Sequence, residues 1–503
     1  MAELISKERR FIFLMLTLAA LIYAAALSPN LSIAGDDEAH YIILAKSMAA
    51  GQGYRDIYLP GSPLQPRVVP AVPFLITPLV FFFGVSLMIL RIFPLLCAVF
   101  SVAALYYFIK KDDDSVGPLI VATAVIIFAF NPHILYFSGR VMTELPYVLL
   151  SLLTLYVFDK YVRSEKSPGR YAALFMAIIS TSALFYVRNI GAALFIALFI
   201  YSLFKKEYRT AFLFAASFAL LIFPWLYHDM AVLGKSSFPD FIVSGFMDSS
   251  KHVDIPAWSL FYRVPYYSLA YATVHMADLF FYPFLIEIAP RHPLFMFKFA
   301  LGTAISTAIA CGFVSQVRRR IRPHHLYAVV YFGTIAFFYS RGERYLVPIL
   351  PFLAYYLATA LKSFKGKVLP VSLAVLVAAS LCSDFYLIYK EHADPYSPDE
   401  RSYLLCADWL KKNSLEESVI LCRKPRFTYL YTGRKTCWYP YTRDPAVFKS
   451  TLQKSGTDYI IVDSLGQDAG KYLKPFIASY KERLEAVYAT PAPVNYIYKV
   501  KER

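Results

Sequence analysis

The sequence predicts a polytopic α-helical membrane protein with about 11 transmembrane helices, followed by a small α/β domain. Hydrophobic residues make up 58% of the 503 residues, charged residues make up only 17%, and the mean hydropathy is +0.47. Apolar runs of about 20 residues, the length that a helix needs to cross a bilayer, recur as far as residue 390. Beyond residue 390 the composition is mixed. This pattern excludes disordered, collagen-like and simple cytosolic proteins.

Eleven apolar segments are predicted to span the membrane. They lie at 11–27, 88–109, 118–137, 143–162, 171–187, 190–204, 210–227, 294–314, 325–340, 345–361 and 368–389. Basic clusters occupy every second loop between them, as the positive-inside rule requires of cytoplasmic loops. The clusters are Lys7/Arg9/Arg10, Lys110/Lys111, Arg163/Lys166/Arg170, Lys205/Lys206/Arg209, Arg318/Arg319/Arg320/Arg322 and Lys362/Lys365/Lys367. We therefore expect a multi-pass protein of the cell membrane, with a cytoplasmic N-terminus and its C-terminal domain outside the cytoplasm.

The remaining charge pattern agrees with a membrane protein. The net charge of +16 is divided among short clusters and forms no single tail or stripe, which argues against a nucleic-acid partner. Residues 266–286 are apolar but contain His275, Asp278 and Pro283. A spanning helix there would break the alternation of basic loops, so the segment is predicted to be an amphipathic helix at the outer interface.

Two domains follow from the change in composition, at 1–390 and 391–503. In the second domain the periodicity predicts helices at 399–412, 444–454 and 469–481, and strands at 418–422, 459–462, 484–488 and 495–500. Residues 395–503 carry 18 basic and 12 acidic residues, which suits either contact with anionic membrane lipids or a solvated basic face. Cys406, Cys422 and Cys437 leave room for one disulfide if this domain is extracytoplasmic.

The first outer loop, 28–87, carries a concentration of acidic residues. Asp36, Asp37 and Glu38 precede an apolar stretch that ends at Gly51-Gln52-Gly53, which predicts a helix over about 37–50 lying along the membrane surface. The simplest interpretation is that Asp36 caps this helix and the other two acids match its dipole. Ionisable groups at a membrane boundary also mark functional sites, and that is the alternative.

Further ionisable groups are predicted on the same side of the membrane. Glu144 lies in the first turn of the fourth predicted span. The basic exceptions to the positive-inside pattern include Arg67, Arg91, Arg140, Arg188, and the arginines of Arg341-Gly342-Glu343-Arg344-Tyr345. Arginine presents a planar fork that fits phosphate oxygens, so a phosphate-bearing ligand is one explanation and snorkelling towards lipid headgroups is the other.

In this order along the chain, several motifs resemble one family. They are Asp37-Glu38-Ala39-His40-Tyr41, Gly51-Gln52-Gly53-Tyr54, the proline-rich 60–70 segment, Thr143-Glu144-Leu145-Pro146-Tyr147 and Arg344-Tyr345-Leu346-Val347-Pro348. The set is similar to the dolichyl-phosphate-mannose–protein mannosyltransferase superfamily, with its aminoarabinose-transferase-like members, which are GT-C membrane glycosyltransferases. The resemblance covers most of residues 1–361.

The resemblance implies a polyprenyl-phosphate sugar as donor and transfer, on the outer face, to a protein or to a glycolipid or other cell-envelope acceptor. It implies Asp37 as the general base, with Glu38 and Glu144 as further catalytic acids. Arg67, Tyr41, Arg344 and Tyr345 are the implied donor-phosphate or substrate contacts, joined by Arg188 and Arg140. A carboxylate whose pKa is raised by burial can act as base, and arginines can stabilise a leaving phosphate, so one displacement would invert the anomeric carbon. Whether a hexose or a pentose is moved stays open.

Some alternatives remain. Asp36, Asp37, Glu38 and Glu144 could hold Mg²⁺ or Mn²⁺, as the oligosaccharyltransferase members of the GT-C class do, and the sequence commits to no metal. His40 and His133 are interpreted as interfacial or core residues. Two other functions compete with this one. A transporter or flippase for a lipid-linked or anionic solute would have charges in the middle of helices and two repeated halves, whereas here the acids and arginines collect at the outer boundary and no halves repeat. A non-catalytic membrane assembly factor that docks through its C-terminal domain would leave the placement of the Asp37-Glu38 and Thr143-Glu144 motifs unexplained.

Overall fold

The computed structural model describes residues 2–33, 35–112, 116–163, 168–234, 260–338, 342–363 and 368–501. Lys166, Arg341, Lys365 and Lys367, which entered the predictions above, lie outside these residues.

The described residues of each predicted span are mainly helical, although some of the spans contain a break or begin in a 3-10 turn. The helices before residue 394 are α1 (Ala2–Ala25), α2 (Asp36–Ala49), α3 (Ala71–Phe83), α4 (Leu87–Leu90), α5 (Ile92–Asp112), α6 (Pro118–Ala129), α7 (Pro132–Ser138), α8 (Glu144–Arg163), α9 (Pro168–Val187), α10 (Ala192–Phe204), α11 (Tyr208–Leu233), α12 (Leu260–Ala270), α13 (Met276–Phe281), α14 (Phe295–Arg319), α15 (Pro323–Phe337), α16 (Leu350–Ser363) and α17 (Val368–Ala393). Short 3-10 turns, Asn189–Gly191 and Glu343–Ile349, precede α10 and α16, and a π-helical turn, Tyr271–His275, joins α12 to α13.

In the described parts of the chain, seven helices are long and apolar enough to cross a membrane, fewer than the eleven predicted spans. The bent pair α6–α7 makes an eighth if it is one span. The predicted span 11–27 does not meet this criterion because three charged residues, Glu8, Arg9 and Arg10, leave α1 too short an apolar stretch. Those at 190–204 and 325–340 fall short because α10 and α15 have only 13 and 15 residues. The polytopic helical class is confirmed, and the predicted eleven exceeds the number of spans that this criterion supports.

The predicted span 118–137 is broken in the structure. Pro132 has no N–H group to donate to the preceding turn, and the side chain of Asn131 accepts the backbone N–H of His133 at 3.0 Å to begin a new helix. As a result α6 and α7 meet at 51°.

Described residues from several of the predicted basic clusters lie at one end of the bundle. Ion pairs near this end are Lys110–Glu8, Arg170–Glu207 (2.9 Å) and Arg322–Asp159 (3.5 Å). The acids of the candidate site lie at the opposite end, at the starts of α2 and α8. That the basic end faces the cytoplasm remains a prediction.

The segment predicted at the outer interface is helical over α12, the π turn and α13. It packs against α14 so closely that a Cβ on Gly302 would lie 1.7 Å from the carbonyl oxygen of Thr273. It is not among the described helices that are apolar enough to cross a membrane. Its location at the interface stays a prediction.

The C-terminal domain contains five strands and the helices that cover them. The elements are α18 (Pro398–Asn413), β1 (Val419–Cys422), α19 (Pro425–Thr432), β2 (Lys435–Trp438), α20 (Pro445–Ser455), β3 (Tyr459–Val462), α21 (Lys474–Ser479), β4 (Leu484–Ala489) and β5 (Tyr496–Val500). A π turn, Ala469–Leu473, precedes α21, and a 3-10 turn, Lys481–Arg483, precedes β4. The sheet order is β2-β1-β3-β5-β4, with β2, β1 and β3 parallel and β5 antiparallel to both β3 and β4.

Two elements of this domain were not predicted, and one predicted bond does not form. The helix α19 and the strand β2 have only eight and four residues, too few to show a clear period. Cys406, Cys422 and Cys437 are free and buried, so the disulfide that the sequence left room for is not formed.

The C-terminal domain packs on α2 and on the outer loop. The backbone N–H of Thr436 donates to the carbonyl of Tyr58 at 2.8 Å, and Lys435 Nζ donates to the Ile57 carbonyl and the Ser62 hydroxyl. These contacts bring the start of α19 next to the start of α2.

Candidate active site

The candidate site begins at the first turn of α2. Gly35 precedes the helix in an extended conformation, so Asp36 and Asp37 occupy the first two helical positions. Neither caps the helix, contrary to the simplest interpretation of Asp36. The side chain of Asp37 retains 46% of its exposure, and its Oδ2 accepts a hydrogen bond from Arg344 Nη2 at 3.2 Å.

A second carboxylate binds the same guanidinium group. Glu144 begins α8 and is fully buried. Its Oε1 lies 3.0 Å from Arg344 Nη2, 3.2 Å from Arg344 Nε and 3.2 Å from Arg188 Nη1. Its Oε2 has no hydrogen-bond partner within the described protein. Four predicted site residues therefore form one chain, Asp37–Arg344–Glu144–Arg188, although they come from four separate parts of the sequence.

Two tyrosines of the prediction border this chain. The ring of Tyr345 lies 5.8 Å from the guanidinium carbons of both Arg188 and Arg344, within range of a cation–π contact. The Tyr345 carbonyl accepts the hydroxyl of Tyr331 at 3.0 Å, which fixes the 3-10 turn that carries Arg344. Burial raises the pKa of Tyr41, and the charges of Asp37 and Glu144 add to this effect. Tyr41 is therefore a neutral hydroxyl beside the two acids.

The protonation of Asp37 differs from the expectation. Its surroundings remove water, which alone would raise the pKa, but the positive charges of Arg344 and Arg426 outweigh that effect and hold the pKa of Asp37 below its usual range. The structure thus contains an ionised Asp37 that is a weak base while Arg344 remains bound to it.

Glu38 has contacts of a different kind. Its carboxylate forms a two-point pair with the fully buried Arg91, at 3.0 Å to Nε and 2.9 Å to Nη2, and also accepts the backbone N–H of Val141 at 2.9 Å. Arg91 further donates to the carbonyls of Ser28 and Asn30. Because these bonds use both carboxylate oxygens of Glu38, we propose that it joins α2 to the start of α5, in place of the predicted catalytic role.

Arg140 and Arg67 lie apart from the chain of four. Arg140 pairs with Glu391 at 3.1 Å and stacks over the ring of Tyr136 at 4.0 Å. It borders a cavity of about 150 Å³, which Asp37 and Arg344 also line, and an adjoining cavity of about 470 Å³. The guanidinium of Arg67 makes no hydrogen bond or ion pair with the four residues in the described structure.

Arg67 is nevertheless attached to α2 through its backbone. Its N–H donates to Gln65 Oε1 at 2.8 Å, and Gln65 Nε2 donates to Asp56 at 2.7 Å. Asp56 in turn contacts His40 of α2 at 2.7 Å. His40 and His133 are both buried, so they belong to the core.

Sequence reasoning missed one residue of the site. Arg426, at the start of α19, forms an ion pair with Asp36, with 3.3 Å between Nη1 and Oδ2. Its guanidinium carbon lies 5.1 Å from the ring centre of Trp438 and 5.8 Å from that of Tyr58. No local pattern indicates this contact, because the two partners are 390 positions apart.

The four acids that could hold a divalent cation are all paired with arginines. Asp36 pairs with Arg426, Asp37 with Arg344, Glu38 with Arg91, and Glu144 with both Arg344 and Arg188. Because these guanidinium groups already balance the charge of the carboxylates, we assign no divalent cation to the four acids.

A different group of metal-ligand type occurs nearby. Within the described ranges, ligand atoms of His275, Asp278 and Glu343 lie within 4.8 Å of one another. The ammonium group of Lys298 is 2.7 Å from Asp278 and neutralises that carboxylate. We therefore assign no metal to this group.

Comparison with known proteins gives structural relatives only. No family model and no curated protein matches the sequence. The structure is similar to that of ArnT from Cupriavidus metallidurans in the apo state, at a TM-score of 0.63 and 13% identity over 98% of each chain. It is also similar to ArnT bound to undecaprenyl phosphate, at a TM-score of 0.61 and 12% identity over 97% of each chain.

The oligosaccharyltransferase AglB from Archaeoglobus fulgidus has a similar fold. Its complex with an inhibitory peptide and a dolichol-phosphate gives a TM-score of 0.59 at 13% identity, over 97% of this chain and 74% of that one. These similarities establish the fold of the chain. It is a polytopic membrane protein with the fold of the GT-C glycosyltransferases, the class that the motifs resemble.

Proposed function

We propose that this chain is an integral membrane glycosyltransferase, which moves a sugar from a polyprenyl-phosphate donor to a protein, glycolipid or other cell-envelope acceptor at the membrane surface. The observation that carries the proposal is the guanidinium of Arg344 between the carboxylates of Asp37 and Glu144. A group that binds two carboxylates can also bind the oxygens of a phosphate, in the two-point geometry that arginine favours.

Arrival of the donor phosphate would change the basicity of Asp37. In the structure Arg344 holds that carboxylate in its weakly basic form. A phosphate that engages the Arg344 guanidinium would weaken the pair with Asp37 and raise the pKa of the freed carboxylate. The base would then become active mainly when the donor is bound, which limits reaction in its absence.

The transfer itself needs one displacement. Asp37 takes the proton of the acceptor hydroxyl, the acceptor oxygen bonds to the anomeric carbon, and the bond from that carbon to the phosphate oxygen breaks. The polyprenyl phosphate leaves as an anion, with Arg344 and Arg188 close to the developing charge, and the configuration of the carbon inverts.

Glu144 would act through the arginines. It is fully buried, and its Oε1 binds both Arg344 and Arg188. We propose that it orients the two guanidinium groups towards the phosphate. Tyr345 would hold the same groups from the side with its ring, and Arg140 would contact the substrates in the cavity next to Asp37. Tyr41, the neutral hydroxyl beside Asp37 and Glu144, would be a further substrate contact.

The solved relatives support this donor class. ArnT has been solved with undecaprenyl phosphate and AglB with a dolichol-phosphate and a peptide, so proteins of this fold bind polyprenyl phosphates. The two relatives do not decide between a lipid and a protein acceptor for this chain.

The test is sugar transfer by the purified full chain in vesicles, without an ion gradient, from a panel of polyprenyl-phosphate hexoses and pentoses. Asp37→Asn should lower the transfer rate about 10²-fold or more, while donor binding persists. Asp444→Asn, which alters an N-cap in the C-terminal domain, is the matched control and should keep the parent rate. Equal rates for Asp37→Asn and the parent would remove Asp37 from the mechanism. Movement of the intact lipid across the membrane, with no transfer, would favour the flippase function instead.

A further inference from the structure

The C-terminal domain inserts one charged side chain next to the proposed base. Arg426 reaches from the start of α19 to the first turn of α2, where its Nη1 lies 3.3 Å from Asp36 Oδ2. Asp36 is the sequence neighbour of Asp37. The domain that carries no recognised motif therefore supplies a positive charge at the edge of the candidate site.

This arginine is held on several sides. The rings of Tyr58 and Trp438 lie within 6 Å of its guanidinium carbon, the range of cation–π contacts. Tyr58 belongs to the outer loop, and its carbonyl accepts the N–H of Thr436 from β2. The ring of Tyr58 also meets the ring of His40 edge-on, with 6.0 Å between their centres. The guanidinium thus rests on a surface built jointly by the two domains.

An ion pair that served only to dock the domain would not need this location. The interface already contains two hydrogen bonds from Lys435, the bond between Thr436 and Tyr58, and the stacking of Lys46 over the ring of Tyr429. Those contacts involve residues 57–62 of the outer loop and Lys46 near the other end of α2. Arg426 instead forms an ion pair with Asp36 in the first turn of α2, which also carries Asp37, and Lys424 of the same domain is close enough to interact with the charge of Asp36.

We infer that Arg426 is a positioning residue of the active site, through which the C-terminal domain fixes the first turn of α2 and places a positive charge near Asp37. The inference rests on the proposed role of Asp37 as the base. It also assigns the C-terminal domain a part in the reaction.

The charges around Asp37 decide the direction of the effect. Arg344 binds it directly, Arg426 lies beyond Asp36, His40 is one turn further along α2, and Glu144 and Tyr41 complete the surroundings. Arg344 and Arg426 lower the pKa of Asp37 against the effect of burial. If Arg426 loses its charge, the pKa of Asp37 must rise, and a larger fraction of this carboxyl is protonated in mild acid.

The first experiment measures this directly. The full chain is labelled with a carbodiimide and an amine, which modify protonated carboxyls, over a series of pH values, and mass spectrometry follows the label on Asp37. In Arg426→Gln the midpoint of labelling should move to higher pH relative to the parent. Arg426→Lys, which keeps the charge, should return it towards the parent. An unchanged midpoint in Arg426→Gln overturns the inference, whether or not a donor sugar has been identified.

Arg434→Gln is the matched control. Arg434 belongs to the same domain, but among the residues that the structure describes its side chain donates hydrogen bonds to Lys411, Ser414 and Thr432, all of that domain. It should leave the Asp37 midpoint in place. A shift as large as that of Arg426→Gln would mean that any disturbance of the domain has this effect, and would also overturn the inference.

The second experiment uses sugar transfer. Arg426→Gln should lower kcat roughly tenfold at neutral pH, with a larger loss in mild acid, while KM for the donor stays near that of the parent. Arg426→Lys should recover the acid side of the pH profile but less of kcat, because an ammonium group lacks the planar fork. Full activity of Arg426→Gln at all pH values would refute the inference. Absence of transfer in the parent would refute the proposed function instead.

Discussion

The substitution Glu144→Gln tests most directly how Glu144 holds Arg344 and Arg188 at the candidate site. The substitution keeps the size and shape of the side chain but removes the negative charge that both guanidinium groups share. Arg344 keeps Asp37 as a second anion, whereas the ion pair of Arg188 with Glu144 is lost. We expect Arg188 to become an uncompensated charge, and the orientation of Arg344 to loosen.

The magnitude follows from the burial of the three residues. Removing one partner of a buried ion pair costs about 3–5 kcal/mol. Glu144 is fully buried, but Arg344 is 35% exposed and retains one partner, so solvent screening reduces the cost to about 2 kcal/mol of the free energy of unfolding. A displacement of Arg344 by about 1 Å would lower the transfer rate on the order of 10²-fold.

The assay pairs thermal unfolding of the detergent-purified protein with sugar transfer in vesicles. Glu207→Gln is the control, because Glu207 also pairs with an arginine, Arg170, but at the opposite end of the bundle. That pair is partly exposed, so its loss should change the unfolding free energy by less than about 1 kcal/mol and leave transfer intact. If Glu144→Gln has the unfolding temperature and the transfer rate of the parent, the carboxylate that Arg344 and Arg188 share contributes to neither stability nor activity, and this prediction is wrong.

Two further predictions concern stability. Burial raises the pKa of Asp463 to about 6, so the folded protein keeps this proton to a higher pH than the unfolded chain does. The contribution of Asp463 to stability therefore falls as the pH rises from about 4 to 6. Asp463→Asn should raise the unfolding temperature at pH 8 and leave it unchanged at pH 4. A Cβ on Gly312 would lie 1.8 Å from the carbonyl oxygen of Tyr356, so Gly312→Ala should push α14 away from α16 and lower the yield of folded protein. The control is Gly333→Ala, which should be neutral or slightly stabilising because no atom lies within 4 Å of the added Cβ. Equal yields for the two variants would contradict the close contact between α14 and α16.

The sequence predicted the helices of the membrane domain well because burial in a bilayer leaves a strong and local signal. The sequence also contains a signal for the break at Pro132, because asparagine followed by proline is a common helix start. The continuous apolar run through this position nevertheless led to the prediction of one span. Length and composition alone support fewer spans in the described residues than the eleven predicted, because α10 and α15 have only 13 and 15 residues, fewer than a helix usually needs to cross a bilayer.

In the candidate site, too, local motifs predicted some residues, whereas contacts between distant parts of the sequence were not predicted. Asp37, Glu144 and Arg344 stand in recognisable motifs, and the structure joins them. The partners of the neighbouring acids were hidden, because Glu38 binds Arg91 and Asp36 binds Arg426 across 53 and 390 positions. Adjacent acids on one helix turn thus have three different partners, and only the tertiary fold assigns them.

The contact between Asp36 and Arg426 has a consequence for how the protein matures. During synthesis α2 emerges from the ribosome long before α19, so every helix up to α17 emerges before the arginine that faces the first turn of α2. A nascent chain inserted in the membrane would contain Asp37, Glu144 and Arg344 without this last neighbour. The contact that the C-terminal domain makes with the first turn of α2 can therefore form only after every membrane helix has been synthesised, so membrane insertion of these helices and completion of the candidate site are separate events.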